Sequence, residues 1–358
     1  MRLLAFLFIC PLFAQCPAPE PCVFLPHSQI EEGVKQDQWY GKVDFLYWEG
    51  TEQGLEYASK NAGSSLNQNI QIYKPSFRYT PAFRLGLGAY LPHDDWALEL
   101  DYTRYYAHTS DTAKHPFVGN TGGGIRSVWT AATAFQDNNF QVLWERAKSN
   151  WNLHANFFDL FLKHKLFLTA TISFEPTFGV KLALLQQRYQ VMYQSGNSAS
   201  VVVGRGAIQF LRSSIAMKNR SLNLGLSSSV TTHWNLSDHF QLFGKISGSL
   251  LASRFSIGRN ESDFYDNGIV LLDTFREGQT LWTLRPEGGA LLGLGWQGWA
   301  CKPSYTLFYG FGASYEMDIY WKQNMLFRFI DQTNGAMIAP TQGSLFFQGL
   351  TCNAFIDF

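Results

Sequence analysis

Residues 168 to 185 read LTATISFEPTFGVKLALL and alternate almost without error. Leu168, Ala170, Ile172, Phe174, Pro176, Phe178, Val180, Leu182 and Leu184 share one parity. Thr169, Thr171, Ser173, Glu175, Thr177, Gly179 and Lys181 share the other. Side chains alternate sides along a strand, so this segment presents one apolar and one polar face. Soluble strands usually end after about five or six residues. A strand this long, with so apolar a face, points to contact with lipid.

Similar alternation recurs on both sides of it. In 39 to 49, Val43, Phe45 and Tyr47 oppose Lys42 and Asp44. In 77 to 91, Phe83, Leu85 and Leu87 oppose Arg84, Gly86 and Gly88. Further segments follow 96, cover 150 to 163, surround Leu222–Leu226 and Phe240–Ile246, run from Trp282 to Trp296 and from Tyr305 to Ile319, and close the chain at 345 to 358. Two irregularities predict local bulges: a phase slip at Phe157–Phe158, and Pro176, which cannot donate to a ladder.

The connections alternate strictly in length. They are long at 51–76, 107–148, 194–219, 257–279 and 322–344, and short at 92–95, 164–167, 235–238 and 298–303. Short periplasmic turns and long extracellular loops are the layout of an outer-membrane barrel. A soluble sandwich has no reason to keep this alternation. The expected fold is therefore all-β: a transmembrane antiparallel up-and-down β-barrel of about ten strands, with twelve as the alternative, over residues 39–358.

Composition agrees. Charged residues are 16% of the 358, against about 25% in soluble domains, and aromatics are also 16%. The formal net charge is zero, which removes any electrostatic case for nucleic acid. The opening MRLLAFLFICPLFA has Arg2 before an apolar run and a small residue at Ala14, so residues 1–14 read as a signal peptide and 15–38 as a Pro-containing periplasmic tail. An exported chain can form disulfides, and Cys16 with Cys22 is a candidate pair; Cys301 and Cys352 also remain. The cysteine spacing suits no zinc motif, and neither metal nor cofactor is expected.

Trp96, Trp234, Trp296 and Trp299 fall at the short turns, and Trp48, Tyr105, Trp151, Tyr189, Trp282 and Trp321 at the long-loop ends. These two sets are expected to form aromatic girdles at the two lipid interfaces, with Phe358 at the end of the last strand.

Three stretches carry a family likeness: DFLYWEGTEQGLEYA (44–58), FRLGLGAYLPHDDWALELDYT (83–103) and NFFDLFLKHKLFLTATISFEPTFGVKLALLQQRYQV (156–191). They resemble the pore-forming major-outer-membrane-protein-like family of legionellae and chlamydia-like bacteria, over the strands of most of 40 to 358. The resemblance implies a porin-like role in the bacterial outer membrane. Phe358 matches the general assembly signal of such barrels, which implies the barrel-assembly machinery as a partner besides outer-membrane lipid and lipopolysaccharide.

The inward parity carries Lys42, Asp44, Arg84, Glu99, Asp101, Glu175, Lys181, Lys245, Arg285, Glu287, Glu316 and Asp318. These are the candidate lumen-lining residues, either of a water-filled channel for ions and small polar solutes or of a salt-bridge network that plugs a small barrel. Ten strands lie near the size at which side chains fill the interior. Inward glycines such as Gly86, Gly88, Gly293, Gly295, Gly310 and Gly312 either relieve crowding or free some lumen. The segment VWTAATAFQDNNFQVLWERAK is apolar enough to fold into the barrel mouth as a constriction, an exposed loop being the alternative.

Two other classes compete with a channel. A structural or adhesive envelope barrel, cross-linked or self-associating, would use the long loops and the cysteines. A barrel enzyme would use paired acids with a histidine: Glu99/Asp101 and Glu316/Asp318 are such pairs, and His108 and His154 are the candidate histidines. No Asp-x-His pair and no Ser-His-acid spacing completes either set, and an enzyme is not expected.

Overall fold

The computed structural model describes residues 39–61, 70–91, 96–115, 124–130, 143–195, 200–203, 206–266, 270–302, 305–329 and 338–357. The signal peptide, the tail with Cys16 and Cys22, and Phe358 lie outside the described residues.

Ten strands form the wall: β1 (Trp39–Glu52), β2 (Tyr79–Tyr90), β3 (Trp96–Lys114), β4 (Arg146–His164) and β5 (Ile172–Gln194), then β6 (Gly206–Asn235), β7 (Phe240–Asp266), β8 (Val270–Lys302), β9 (Tyr305–Asn324) and β10 (Gly343–Asp357). Each pairs antiparallel with its sequence neighbours, and β1 pairs with β10 from Tyr40↔Asp357 to Glu52↔Leu345. The sheet is closed, so its backbone groups are paired within the wall and none need face hydrocarbon.

The outward face is apolar only over part of each strand. Val43, Phe45, Leu85, Leu87, Leu98, Leu100, Phe178, Val180 and Leu222 to Leu226 on alternate positions are exposed, Leu226 and Ile246 at 74%. Above this band the pattern inverts. On β4, Phe158 and Leu160 face out, but Trp151, Leu153, Ala155 and Phe157 are buried inside. On β5 the outward residues change from Leu182 and Leu184 to Gln186, Arg188 and Gln190, while Leu185, Tyr189, Val191 and Tyr193 face in. Each long strand crosses lipid with its apolar side out and then enters water with its apolar side in. One strand thus obeys two solvents in succession.

The structure corrects five expectations, the first two through this inversion. First, the phase slip at Phe157–Phe158 is not a bulge: both ladders of β4 keep register through it. It marks the change of solvent at the outer interface. Second, Trp48 and Trp151 are not lipid-facing. They are 2% and 1% exposed, and Tyr105 and Tyr189 are buried with them. Their rings fill the barrel because no lipid reaches that height. Trp282, Trp234 and Trp321 do face outward and exposed, and Trp96 and Trp296 share the outward parity of Leu98 and Leu294. Trp299, on the inward parity of β8, lines the lumen mouth. Third, two long loops are mostly strand: β6 and β7 pair up to Gln209↔Asp266, and β7 and β8 up to Asp266↔Val270. Fourth, β5 starts at Ile172 rather than at Leu168, because Leu166 and Phe167 pair with Phe174 and Ser173 and move the turn. Pro176 needs no bulge either. It lies between that short pairing and the start of the β4 ladder at Thr177, opposite Val230 without register shift.

The first two extracellular connections build a cap. Ile70–Tyr73, Ala58–Asn61, Ile125–Ser127 and Leu143–Trp144 form a four-stranded sheet in that order. Of the segment expected as a constriction, Val128, Trp129, Thr130 and Trp144 pack inside; residues 131–142 lie outside the described residues.

Candidate functional site

Within the lipid-facing band the lumen is polar. A cavity of about 970 Å³ opens among the periplasmic residues Tyr40, Tyr90, Asp238 and Asp357 and ends under Trp48, Phe157, Tyr320 and Phe347. Four cations bridge the acids of its wall in three groups, two of the cations sharing Glu99. Lys42 reaches Glu99 at 3.3 Å and Asp101 at 3.1 Å. Lys163 reaches Glu99 at 2.5 Å and Glu175 at 3.7 Å. Arg84 spans Asp44 at 3.3 Å and Glu316 at 2.9 Å. Lys181 meets Glu287 at 2.8 Å and Asp159 at 4.0 Å. The Tyr40 hydroxyl donates to Glu99 at 2.6 Å, and Thr351 donates to Glu316 at 3.0 Å.

This arrangement places eleven of the twelve candidate lumen residues in the polar wall of the lumen. Lys245 lies over the Phe161 ring at 5.4 Å, and neither it nor Asp318 forms an ion pair among the described residues. Arg285 is the exception. It faces inward but higher, donating to the Met325 sulfur at 3.3 Å and lying over Phe255 in a small apolar cluster. Lys163 and Asp159 belong to the wall but were not among the candidates. Their signal was in the sequence: Asp159 and Lys163 alternate with Leu160 and Leu162, below the point where the apolar parity of β4 changes sides.

The inward glycines relieve crowding. Tyr40 lies across Gly88, Phe355 across Gly310, and Lys42 with Asp101 across Gly86, so a Cβ at any of these would strike a lumen side chain. Gly50 serves the layer above: a Cβ there would stand 2.8 Å from the Tyr105 hydroxyl.

That layer closes the lumen. Phe347 contacts Trp48, Tyr105, Phe157 and Tyr320, with ring centroids 6.1, 5.2, 5.7 and 5.9 Å away. All five rings are at most 5% exposed. Edge-to-face contacts of this kind add about 0.5–1.5 kcal/mol each beyond the area they bury. Above them, wall tyrosines hold the first loop through its backbone: Tyr189 donates to the Leu55 carbonyl at 2.6 Å and Tyr193 to that of Tyr57 at 2.5 Å.

Three loops meet at one guanidinium. Arg328, from the last extracellular connection, donates to Glu56 at 2.7 Å and to the Gly54 carbonyl at 2.5 Å, both in the first. It also lies 4.4 Å from the Trp129 ring of the second, whose Nε1 donates to the Glu56 carbonyl at 2.7 Å. Burial raises the Glu56 carboxyl, but the Arg328 hydrogen bond and the nearby positive charges outweigh it and hold the group below its ordinary value.

The two candidate histidines do not join the acids, although His233 lines the cavity with them. His108 and His154 stand exposed on the outward face, while Glu316 and Asp318 line the cavity on the other side of the wall. Cys352 is a free thiol, exposed on the outward face of β10. No metal-holding group of His, Cys, Asp or Glu occurs among the described residues.

The family described as the Legionella pneumophila major outer membrane protein precursor matches residues 34–358. The chain belongs to this family. It is a β-barrel of the bacterial outer membrane, with the short turns facing the periplasm as such barrels require. No curated protein matches it. Solved structures similar to this family member include the outer membrane protease OmpT of Escherichia coli, at 10% identity over 91% of this chain and 99% of that one, with a TM-score of 0.36. A major outer membrane protein from Thermus thermophilus follows at 10% identity, 90% and 99% coverage and 0.30. The toluene transporter TodX of Pseudomonas putida is at 10%, 90% and 89%, and 0.26. At such values these likenesses carry no argument about activity.

Proposed function

We propose that this protein is a narrow outer-membrane channel for ions and small polar solutes, limited by its extracellular plug. The observation that supports the reading is the cavity itself. A lumen of about 970 Å³, open to the periplasmic side and walled by paired charges, offers a path for hydrated ions across most of the bilayer. The paired charges make the wall polar without a large unbalanced field. The aromatic layer is the resistance, since apolar constrictions exclude ions by dewetting. Conduction then requires the loops carrying Glu56, Trp129 and Arg328 to move.

The test is single-channel conductance of the refolded, heat-modifiable protein in a planar bilayer. Discrete reproducible steps, enlarged by deleting residues 120–145, are expected. Steps that the deletion leaves unchanged would remove the plug from the reading.

A second reading is a structural or adhesive envelope barrel with a permanently plugged lumen, and the five buried rings favour it. Silence from folded protein, with and without the deletion, would select it. Neither reading includes catalysis. Outer-membrane lipid, lipopolysaccharide and the barrel-assembly machinery, the last acting through Phe358, are the partners this role implies.

A further inference from the structure

Above the lipid-facing band, the outward face of β3 to β7 is basic. Arg104, Arg188, Lys218, Arg220 and Arg254 stand exposed there, with Lys114, Arg146 and Lys148 higher up. No Asp or Glu occupies an outward position of β3 from 104, β4 up to 156, β5 from 186, β6 from 212 to 220, or β7 from 254 to 264. The acids of these stretches, Asp111, Glu261 and Asp263, are on the other parity. None of the five lower cations forms an ion pair among the described residues. On β1 and β10, by contrast, the outward residues at the top of the band are Glu49 and Gln348, 3.3 Å apart.

The centre of the belt is laid out against its own interest. Arg188 stands directly opposite Lys218 in the β5–β6 ladder. Like charges directly opposite each other destabilise a sheet. Arg220 lies two residues below Lys218 on the same face. Arg254 stands opposite Leu222 and beside the exposed Trp282, 5.8 Å from its ring. Strands are about 4.8 Å apart, so these four cations share one small patch. Immediately below lie the exposed Leu222, Leu224 and Leu226, which fix the patch at the level of the outer-leaflet headgroups.

We propose that Arg188, Lys218, Arg220 and Arg254 bind a phosphate group carried on the headgroup of an outer-leaflet glycolipid. Guanidinium groups bind phosphate oxygens in pairs, and a phosphate between Arg188 and Lys218 turns their repulsion into shared attraction. Trp282 supplies the interfacial aromatic beside it. A lipid is the occupant because the patch is continuous with the lipid-facing wall: its ligand has acyl chains below and charge above. The proposal rests on the barrel's place in the outer membrane, not on conduction.

The test titrates the refolded full-length chain in detergent with fluorescently labelled lipopolysaccharide, with the same material enzymatically dephosphorylated, and with inorganic phosphate as competitor. Tight binding of the phosphorylated form is expected, weaker by at least ~10-fold after dephosphorylation, as losing contacts worth about 1 kcal/mol per cation implies. The variant R188Q/K218Q/R220Q/R254Q should lose about fivefold per removed charge, and thus at least about a hundredfold in all. Its heat-modifiability reports the fold. The double variant R188Q/K218Q relieves a like-charge pair, so it should fold at least as well as the parent while binding less. Equal binding of the dephosphorylated form, equal binding by the folded double variant, or displacement by inorganic phosphate at a concentration matching the lipid would each overturn the proposal.

Discussion

Replacing Phe347 by Ala attacks the closure of the lumen at its centre. Phe347 is 2% exposed and touches four of the rings that seal the cavity. Four aromatic contacts at about 0.5–1.5 kcal/mol each, on top of lost apolar burial, agree with the ~3–5 kcal/mol typical of Phe→Ala in a core. The loss falls on the plug, because the ladder of β10 to β1 and β9 uses backbone groups that the substitution leaves in place. The deleted ring lies between the polar cavity below and the cap above. A gap there admits water, each molecule needing ~30 Å³, once polar neighbours such as Thr351 border it. The expected result in a planar bilayer is larger or more frequent conductance steps than the parent protein gives, with unchanged heat-modifiability of the barrel. Trp fluorescence in urea should show the cap loosening before the barrel unfolds. The same conductance as the parent, in protein whose cap transition has demonstrably shifted, would refute the assignment of these rings as the barrier.

Other outcomes follow from the same geometry. R84A removes the cation shared by Asp44 and Glu316, and should cost about 3 kcal/mol in urea unfolding, whereas R84M/E316Q should cost less because it leaves fewer charges unpaired. Glu52 is 4% exposed and among the described residues its carboxylate meets only the Gln187 amide, at 3.0 Å, so E52Q should leave stability unchanged or raise it by about 1 kcal/mol in the same assay. The Glu56–Arg328 contact should weaken in acid. Because the folded Glu56 carboxyl titrates below its ordinary 4.5, its contribution is complete above that pH and is lost as pH falls through the lowered value. Limited proteolysis of the cap should therefore accelerate at acidic pH in the parent, and proceed at a faster, more nearly pH-independent rate in E56Q.

The barrel was legible because lipid imposes a period-two signal on every strand that crosses it. Phe178, Val180, Leu222 and Leu224 had to face outward, and Lys42, Asp44 and Glu99 inward, whatever their partners. The same rule misled at Trp48, Trp151 and Phe157. Apolar alternation reads identically whether the apolar side meets lipid outside or a packed core inside. Only the height of a residue relative to the outer interface separates the two cases. The strand extensions of β6, β7 and β8 were hidden for the related reason that in water their outward residues are polar and their inward ones sparse, which resembles a loop.

What the amino-acid order determined by itself was membership, strand count, orientation and the polar lumen, because each depends on local alternation, turn length or family likeness. Which cation meets which acid was decided by tertiary structure. Lys163 joins Glu99 to Glu175, and Arg84 joins Asp44 to Glu316, across separations set by the registers of neighbouring strands. The same holds for the plug. Phe347, Phe157, Tyr320, Tyr105 and Trp48 come from five strands, and only closure of the sheet brings their rings to one level, where they exclude water by packing on each other.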